Sequence, residues 1–214
     1  FRGWLSIRWT GQTRVLREAL DAMPEQAAVG ELHSVEAQRA ACMLMERDAA
    51  AILLIPGVTS GGIFDGQDFL LPGALSAGWA HRLSGHESLA RREFEAALNR
   101  LDGVSKNLPD DWRVHASRGL ALAGVGRYAE ARAEARWLEN CEVYRVDAFQ
   151  GRLVAEERAR VLAQAGDANA ALAEIEGLLA GPSLLTIHTL RLDPRWDPIR
   201  AHPRFVALLK KYGD

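Results

Sequence analysis

Cysteine is almost missing from this sequence. Cys42 and Cys141 are the only two in 214 residues. Two isolated cysteines make neither a zinc framework nor a disulfide scaffold, so a reducing, cytoplasmic compartment is expected. An excess of charge is missing too. The formal net charge is −2 at pH 7, which leaves no electrostatic footprint for nucleic acid. Long apolar runs are lacking. The strongest, Ala49 to Ile55, falls well short of the ~20 residues of a membrane span, so no membrane segment is expected here. Strand formers are thinly spread, and few runs alternate with period two. The first residue is Phe1 rather than a methionine. A fragment of a longer chain is expected, so the lack of a targeting signal says nothing about the parent.

What is abundant is helix-forming. Ala, Leu, Glu and Arg dominate, the residues that lose least on entering a helix. A composition 48% hydrophobic and 25% charged argues against disorder. At this length the chain is one domain or a short repeat array, able to bury roughly 70% of its unfolded surface.

Three segments align with one another: GWAHRLSGHESLARREFEAAL from Gly78, GLALAGVGRYAEARAEARWL from Gly119 and ARVLAQAGDANAALAEIEGLL from Ala159. In each, a small residue is followed seven positions later by a glycine: Gly85, Gly126, Gly166. Five positions after the glycine comes an alanine: Ala90, Ala131, Ala171. Four further on lie Phe94, Ala135 and Ile175. The pattern predicts helix, tight turn, helix. The glycine takes the left-handed conformation that ends the first helix. The alanine marks the closest approach of the two helices, and the residue four on shares its face. Such a hairpin cannot bury its apolar stripe alone, and stacking buries it.

These residues resemble the tetratricopeptide repeat, in which a small residue of the first helix, a turn glycine and an alanine recur at these offsets. The departures are a spacing of 41 and 40 residues between glycines, longer than that family's period, and His81 and Leu122 where it places an aromatic. The resemblance implies an all-α, right-handed α-α superhelix of helical hairpins with a C-terminal capping helix. It divides the chain into degenerate N-terminal hairpins (1–55), a long Gly/Pro-rich connection (56–73), three hairpins (74–182) and a cap (183–214). In the N-terminal part, Gln12 to Met23 and Ser34 to Arg47 read as helices. VLREALDAMPEQ reads as the second helix of a hairpin begun by FRGWLSIRW.

The C-terminal stretch LRLDPRWDPIRAHPRFVALLKKYGD holds Asp193-Pro194, Asp197-Pro198 and His202-Pro203. Proline suits the first turn of a helix and Asp its N-cap. Two short helix starts and then a full helix are predicted. Leu190, Leu192, Trp196 and Ile199 form a patch for the exposed end of the array. Phe205, Leu208, Leu209 and Tyr212 lie at i, i+3, i+4, i+7, on one helix face. This ending is also similar to the closing segment of repeat regions at the C-terminus of certain bacterial signalling proteins. There the repeats follow an adenylate cyclase, a serine/threonine kinase or a winged-helix domain. What that implies is a regulatory region with an effector domain lying before Phe1.

No active site and no cofactor are expected. GVTSGG lacks the Lys-Ser/Thr ending of a phosphate loop, and FDGQD lacks the ligand count and closing Glu of a calcium loop. His81 and His86 flank a turn glycine in poor geometry for sharing a metal, and His33, His115, His188 and His202 sit in no metal pattern. Glu156 and Glu157 are adjacent and are expected to point to different faces. Ser84-Gly85 has no nucleophile-elbow context. By its resemblance the array would bind a protein or peptide along a concave groove lined by the first helices. The positions that correspond are Leu75, Trp79 and Arg82, then Arg113, Ala116, Ser117 and Leu120, then Glu156, Glu157 and Arg160. The Lys/Asn carboxylate clamp of some family members is absent from them. Two readings follow: a protein-interaction or regulatory module with an open groove, or a small-molecule sensor with an enclosed pocket under the loop from Pro56 to Gly73. An enzyme would need a convergent acid/base pair or a metal.

Overall fold

The computed structural model describes residues 2–23 and 29–213. It is mostly helical, and among the described residues strand is confined to one two-stranded sheet. The helices are α1 (Arg2–Thr10), α2 (Arg14–Asp21), α3 (Val29–Met45), α4 (Ala49–Ile52) and α5 (Pro56–Thr59). Strands β1 (Ile63–Gly66) and β2 (Phe69–Pro72) follow, then α6 (Gly73–Leu83), α7 (Glu87–Ser105), α8 (Trp112–Gly124) and α9 (Tyr128–Asn140). The chain closes with α10 (Glu142–Val146), α11 (Gln150–Gln164), α12 (Ala168–Leu179), α13 (Ile187–Leu192), a 3-10 helix (Pro194–Ile199) and α14 (Pro203–Lys211).

The three anticipated hairpins are present as α6–α7, α8–α9 and α11–α12. Each turns at its predicted glycine, with φ of 73° at Gly85, 86° at Gly126 and 79° at Gly166. The amide after each glycine closes the first helix on a carbonyl five residues back: His86 to His81, Arg127 to Leu122 and Asp167 to Leu162, each 2.9 Å. Ala90, Ala131 and Ala171 are fully buried at the crossings, with Phe94, Ala135 and Ile175 beside them. Each second helix packs on the next first helix, α7 on α8 and α9 on α11. Close approach at the first joint depends on glycine. A Cβ on Gly78 would come within 2.6 Å of the Phe94 ring, and one on Gly124 within 2.4 Å, so the ring is gripped from both α6 and α8.

The N-terminal part carries the same device without its signature residue. Arg47 stands where a glycine would and adopts φ 58°. The Asp48 amide then reaches the Met43 carbonyl at 2.9 Å, the same closing bond. Asp48 caps α4 through Ala51 N, as Asp167 caps α12 through Ala170 N. So α3–α4 is a hairpin whose second helix is cut to one turn. Before it, α1 packs on α2 across a turn at Gly11, φ 70°. The helices expected from FRGWLSIRW and VLREALDAMPEQ correspond to α1 and α2, with residues 24–26 of the second lying outside the described residues; the α3–α4 turn is not among the expectations.

The long connection anticipated from Pro56 to Gly73 is corrected. It holds the turn of α5 and the antiparallel pair β1–β2, with Phe64 opposite Leu71 and Asp65 opposite Leu70. Only Gln67 and Asp68 separate the strands, a two-residue hairpin loop. Four-residue strands are too short to show a period, and the glycines around them read as loop. Phe64 and Leu70 are buried, and the hairpin lies against α8.

At the C-terminus, α13 packs on α1, the 3-10 helix on α11, and α14 on α12. Trp196, Leu190, Ile199 and Phe205 are all buried. Asp193 caps the 3-10 helix through Arg195 N at 2.9 Å, and His202 Nδ1 caps α14 through Arg204 N at 3.2 Å. Asp197-Pro198 starts no helix; it lies inside the 3-10 segment. Leu192 turns instead toward a second small core of Ile7, Leu16, Leu20 and Cys42, which ties the two ends of the chain together.

Candidate functional site

The residues anticipated to line an open groove are mostly covered by the chain itself. On α6, Leu75 and Trp79 are 2% and 5% exposed. Trp79 meets Phe94 edge-on at 5.5 Å, as a core residue does. Arg82 lies over both rings and donates to the Gly124 carbonyl at 2.9 Å. On α8, Ala116, Ser117 and Leu120 are buried. Ser117 Oγ donates to the Leu70 carbonyl of β2 at 2.5 Å. Arg113 pairs with Asp111 and reaches Asp65 at 2.9 Å and the Gly66 carbonyl. Leu75 and Leu120 face Ala37 and Leu44 of α3 and Leu71 of β2 across a narrow apolar crevice. The side of α6 and α8 meant for a partner is therefore filled by α3 and the β-hairpin.

The α11 residues face a different space. Beside the crevice, and sharing Ala37, Ala41, Leu71 and Arg195 with it, lies a cavity of about 220 Å³. Trp4 and Arg8 of α1, Gln38 of α3, Asp68 and Phe69 of the hairpin, and Glu156, Glu157 and Arg160 of α11 line it. Thr189 and Arg195 also line it. These groups come from opposite ends of the chain. Trp4 Nε1 donates to Gln38 Oε1 at 3.2 Å, holding the indole against α3.

Charge in the wall is organised around Arg160. Its guanidinium donates to both Glu156 and Glu157, and its Nε lies 3.3 Å from Asp193 Oδ2. Residues three and four positions apart share a helix face, so one guanidinium draws both adjacent carboxylates together. The expectation that Glu156 and Glu157 diverge is corrected on this ground. Asp193 is wholly buried and also takes Arg195 Nε at 3.0 Å. Burial alone would push the Asp193 carboxyl up, but Arg195 and Arg160 together hold it below the usual carboxylate range. Arg160 is likewise fully charged: burial opposes its proton, and Glu156, Glu157 and Asp193 outweigh burial. Its guanidinium carbon lies 5.5 Å from the centre of the Trp196 ring.

Arg8 stands apart from this network. Among the described residues no hydrogen bond or ion pair reaches its guanidinium, which lies 6.0 Å from the Trp4 ring centre. Burial holds its proton affinity below the ordinary arginine value, with Glu156 acting the other way. Among the described residues, no group of three or more His, Cys, Asp and Glu side chains has the geometry of a metal site. A larger cleft of about 700 Å³ runs along the turn ends of the hairpins, past Arg82, Glu87, Tyr128, Gln164, Arg47 and Asp197.

Sequence reasoning missed Trp4, Arg8, Gln38, Asp193 and Arg195 as parts of one wall. Asp193 and Arg195 carried a local signal, but only for a helix start. Arg8 carried none, because its relation to Glu156 exists only once α1 has met the C-terminal segment. The chain matches no family model, no curated protein and no solved structure.

Proposed function

We propose that the chain is a non-catalytic regulatory module of tetratricopeptide-like hairpins, wound in a right-handed superhelix, that senses a small molecule in its interior. One observation carries this reading: α3 and β2 fill the face of α6 and α8, and the space left over is a charged cavity against α11. An extended peptide would have to displace a buried helix and a strand to reach Leu75, Ser117 and Leu120. A small solute needs only the cavity. Its walls come from α1, α3, the β-hairpin, α11 and the segment from Leu184 to Arg195. A ligand there would tie together parts remote in sequence, which is how occupancy can be passed to an attached domain. The sequence likeness to C-terminal regions of bacterial signalling proteins supports an effector domain before Phe1 as the receiver, in the cytoplasm.

The test is a thermal-shift screen of the purified chain against a library of small metabolites. A ligand that binds only the folded state raises the melting temperature. The expected result is a concentration-dependent rise that Glu157→Gln or Arg8→Gln reduces. A second reading, a protein-interaction module, is favoured by the cleft at the hairpin turns, where Tyr128 is half exposed between Arg82 and Gln164. If that reading is right, the screen gives no shift, and cross-linking to the effector domain maps to Tyr128 and Glu87.

A further inference from the structure

The cavity's chemistry narrows what it accepts, if its reading as a ligand site holds. Three arginines (Arg8, Arg160, Arg195) and three carboxylates (Asp68, Glu156, Glu157) line it. A wall so balanced exerts little net pull on an anion or a cation, and favours a solute carrying both charges. The charges are also unequally used. Arg160 spends its guanidinium on Glu156 and Glu157, and Arg195 gives its Nε to Asp193. Arg8 has no such partner among the described residues. On the other side, Arg160 takes only Oε1 of Glu156 and Oε1 of Glu157. Among the described residues no hydrogen bond reaches either Oε2. Arg8 feels the field of Glu156 yet makes no ion pair with it. Arg8, Glu156 and Glu157, which carry this unused donor and these unused acceptors, line one space without pairing across it.

Size and the rest of the wall add further limits. At about 220 Å³ the cavity matches roughly seven water-sized groups at ~30 Å³ each, below the ~300 Å³ at which drug-sized pockets begin. A nucleotide would have to project from the cavity into solvent. Phe69, Leu71 and Leu153 supply an apolar wall beside the charges. We infer that the cavity binds a small zwitterion, an aliphatic α-amino acid, with its carboxylate on Arg8, its ammonium at Glu156 and Glu157, and its side chain against Phe69 and Leu153.

The test is calorimetric titration of the dialysed full chain with leucine, valine, N-acetyl-leucine and leucinamide. The blocked compounds keep the side chain and remove one charge each. Leucine or valine is expected to bind, and each blocked form to bind at least about tenfold more weakly, as loss of one charge-assisted hydrogen bond requires. Arg8→Gln is expected to weaken leucine by about tenfold or more while leaving leucinamide unchanged. Glu157→Gln should weaken leucine and spare N-acetyl-leucine. Circular dichroism checks that both variants fold; if Arg8→Gln does not, Glu157→Gln and the blocked ligands still decide. Equal binding of leucine and N-acetyl-leucine would overturn the proposal, and so would the absence of binding by any of the twenty amino acids at about 10 mM. If another class of metabolite then binds with sensitivity to Arg8→Gln, only the zwitterion is lost. If nothing in a metabolite library binds, the sensor reading falls with it.

Discussion

Asp193 shows how one residue serves two levels of the structure. It was legible as an N-cap, from Asp-Pro alone. Its second role, holding Arg160 and Arg195 in a buried network, was not legible, because Arg160 lies a whole hairpin earlier in the chain. Replacing Asp193 by Asn removes one charge and leaves two guanidiniums facing each other in the interior. Breaking a buried ion pair in this way costs about 3–5 kcal/mol. The folded carboxyl is held low, so its contribution is present above the unfolded value of about 3.9 and disappears as pH falls through the folded one. Asp193→Asn should therefore lose about 3–5 kcal/mol at pH 7 by urea unfolding, and the gap to wild type should close in strong acid. A gap that is the same at all pH values would show that Asp193 is not the ionised partner described. Cys42 is a simpler case. Burial pushes its thiol up to about 11, which fits a small core hydrophobe rather than a reactive group.

At the scale of elements, legibility followed the turn residues. Gly85, Gly126 and Gly166 announce their hairpins because a left-handed residue is needed and glycine takes it freely. Arg47 takes the same conformation against its preference, so the α3–α4 turn left no mark. The α1–α2 pair was legible from VLREALDAMPEQ as a second helix following FRGWLSIRW; Gly11, which makes its turn, was not singled out. The β-hairpin was hidden because its four-residue strands are too short to show a period and the glycines around them read as loop. The alanine at each crossing gives a direct check on the hairpin geometry. Ala131 is fully buried where α8 meets α9. Ala131→Leu should destabilise by about 1–3 kcal/mol through overpacking, measured as a fall in denaturation midpoint at constant m-value. An unchanged midpoint would mean the α8–α9 crossing has room that the structure does not give it.

Across the whole molecule, the decisive feature is where the N-terminal hairpins go. An array of hairpins leaves the face of its first helices open, and the sequence motifs specify only the hairpins. What covers that face is α3, β2 and the segment around Arg195. The side chains that do it, Ala37, Ala41 and Leu71, look in the sequence like any other helix or loop residues. Closure also depends on contacts between the chain's ends, α1 with α13 and Arg47 with Asp197 at 2.7 Å. No local pattern encodes such contacts. For the candidate groove residues, the covering of Leu75, Ser117 and Leu120 and the separate space faced by Glu156, Glu157 and Arg160 were not legible. Hydrogen exchange on the wild-type chain measures that covering directly. The account predicts that the amides of residues 38–45 and 70–71 are protected to the same degree as those of α8 beneath them. Fast exchange in 38–45 and 70–71 over a protected α8 would contradict it, because α3 and β2 would then be a loose strap over an open groove.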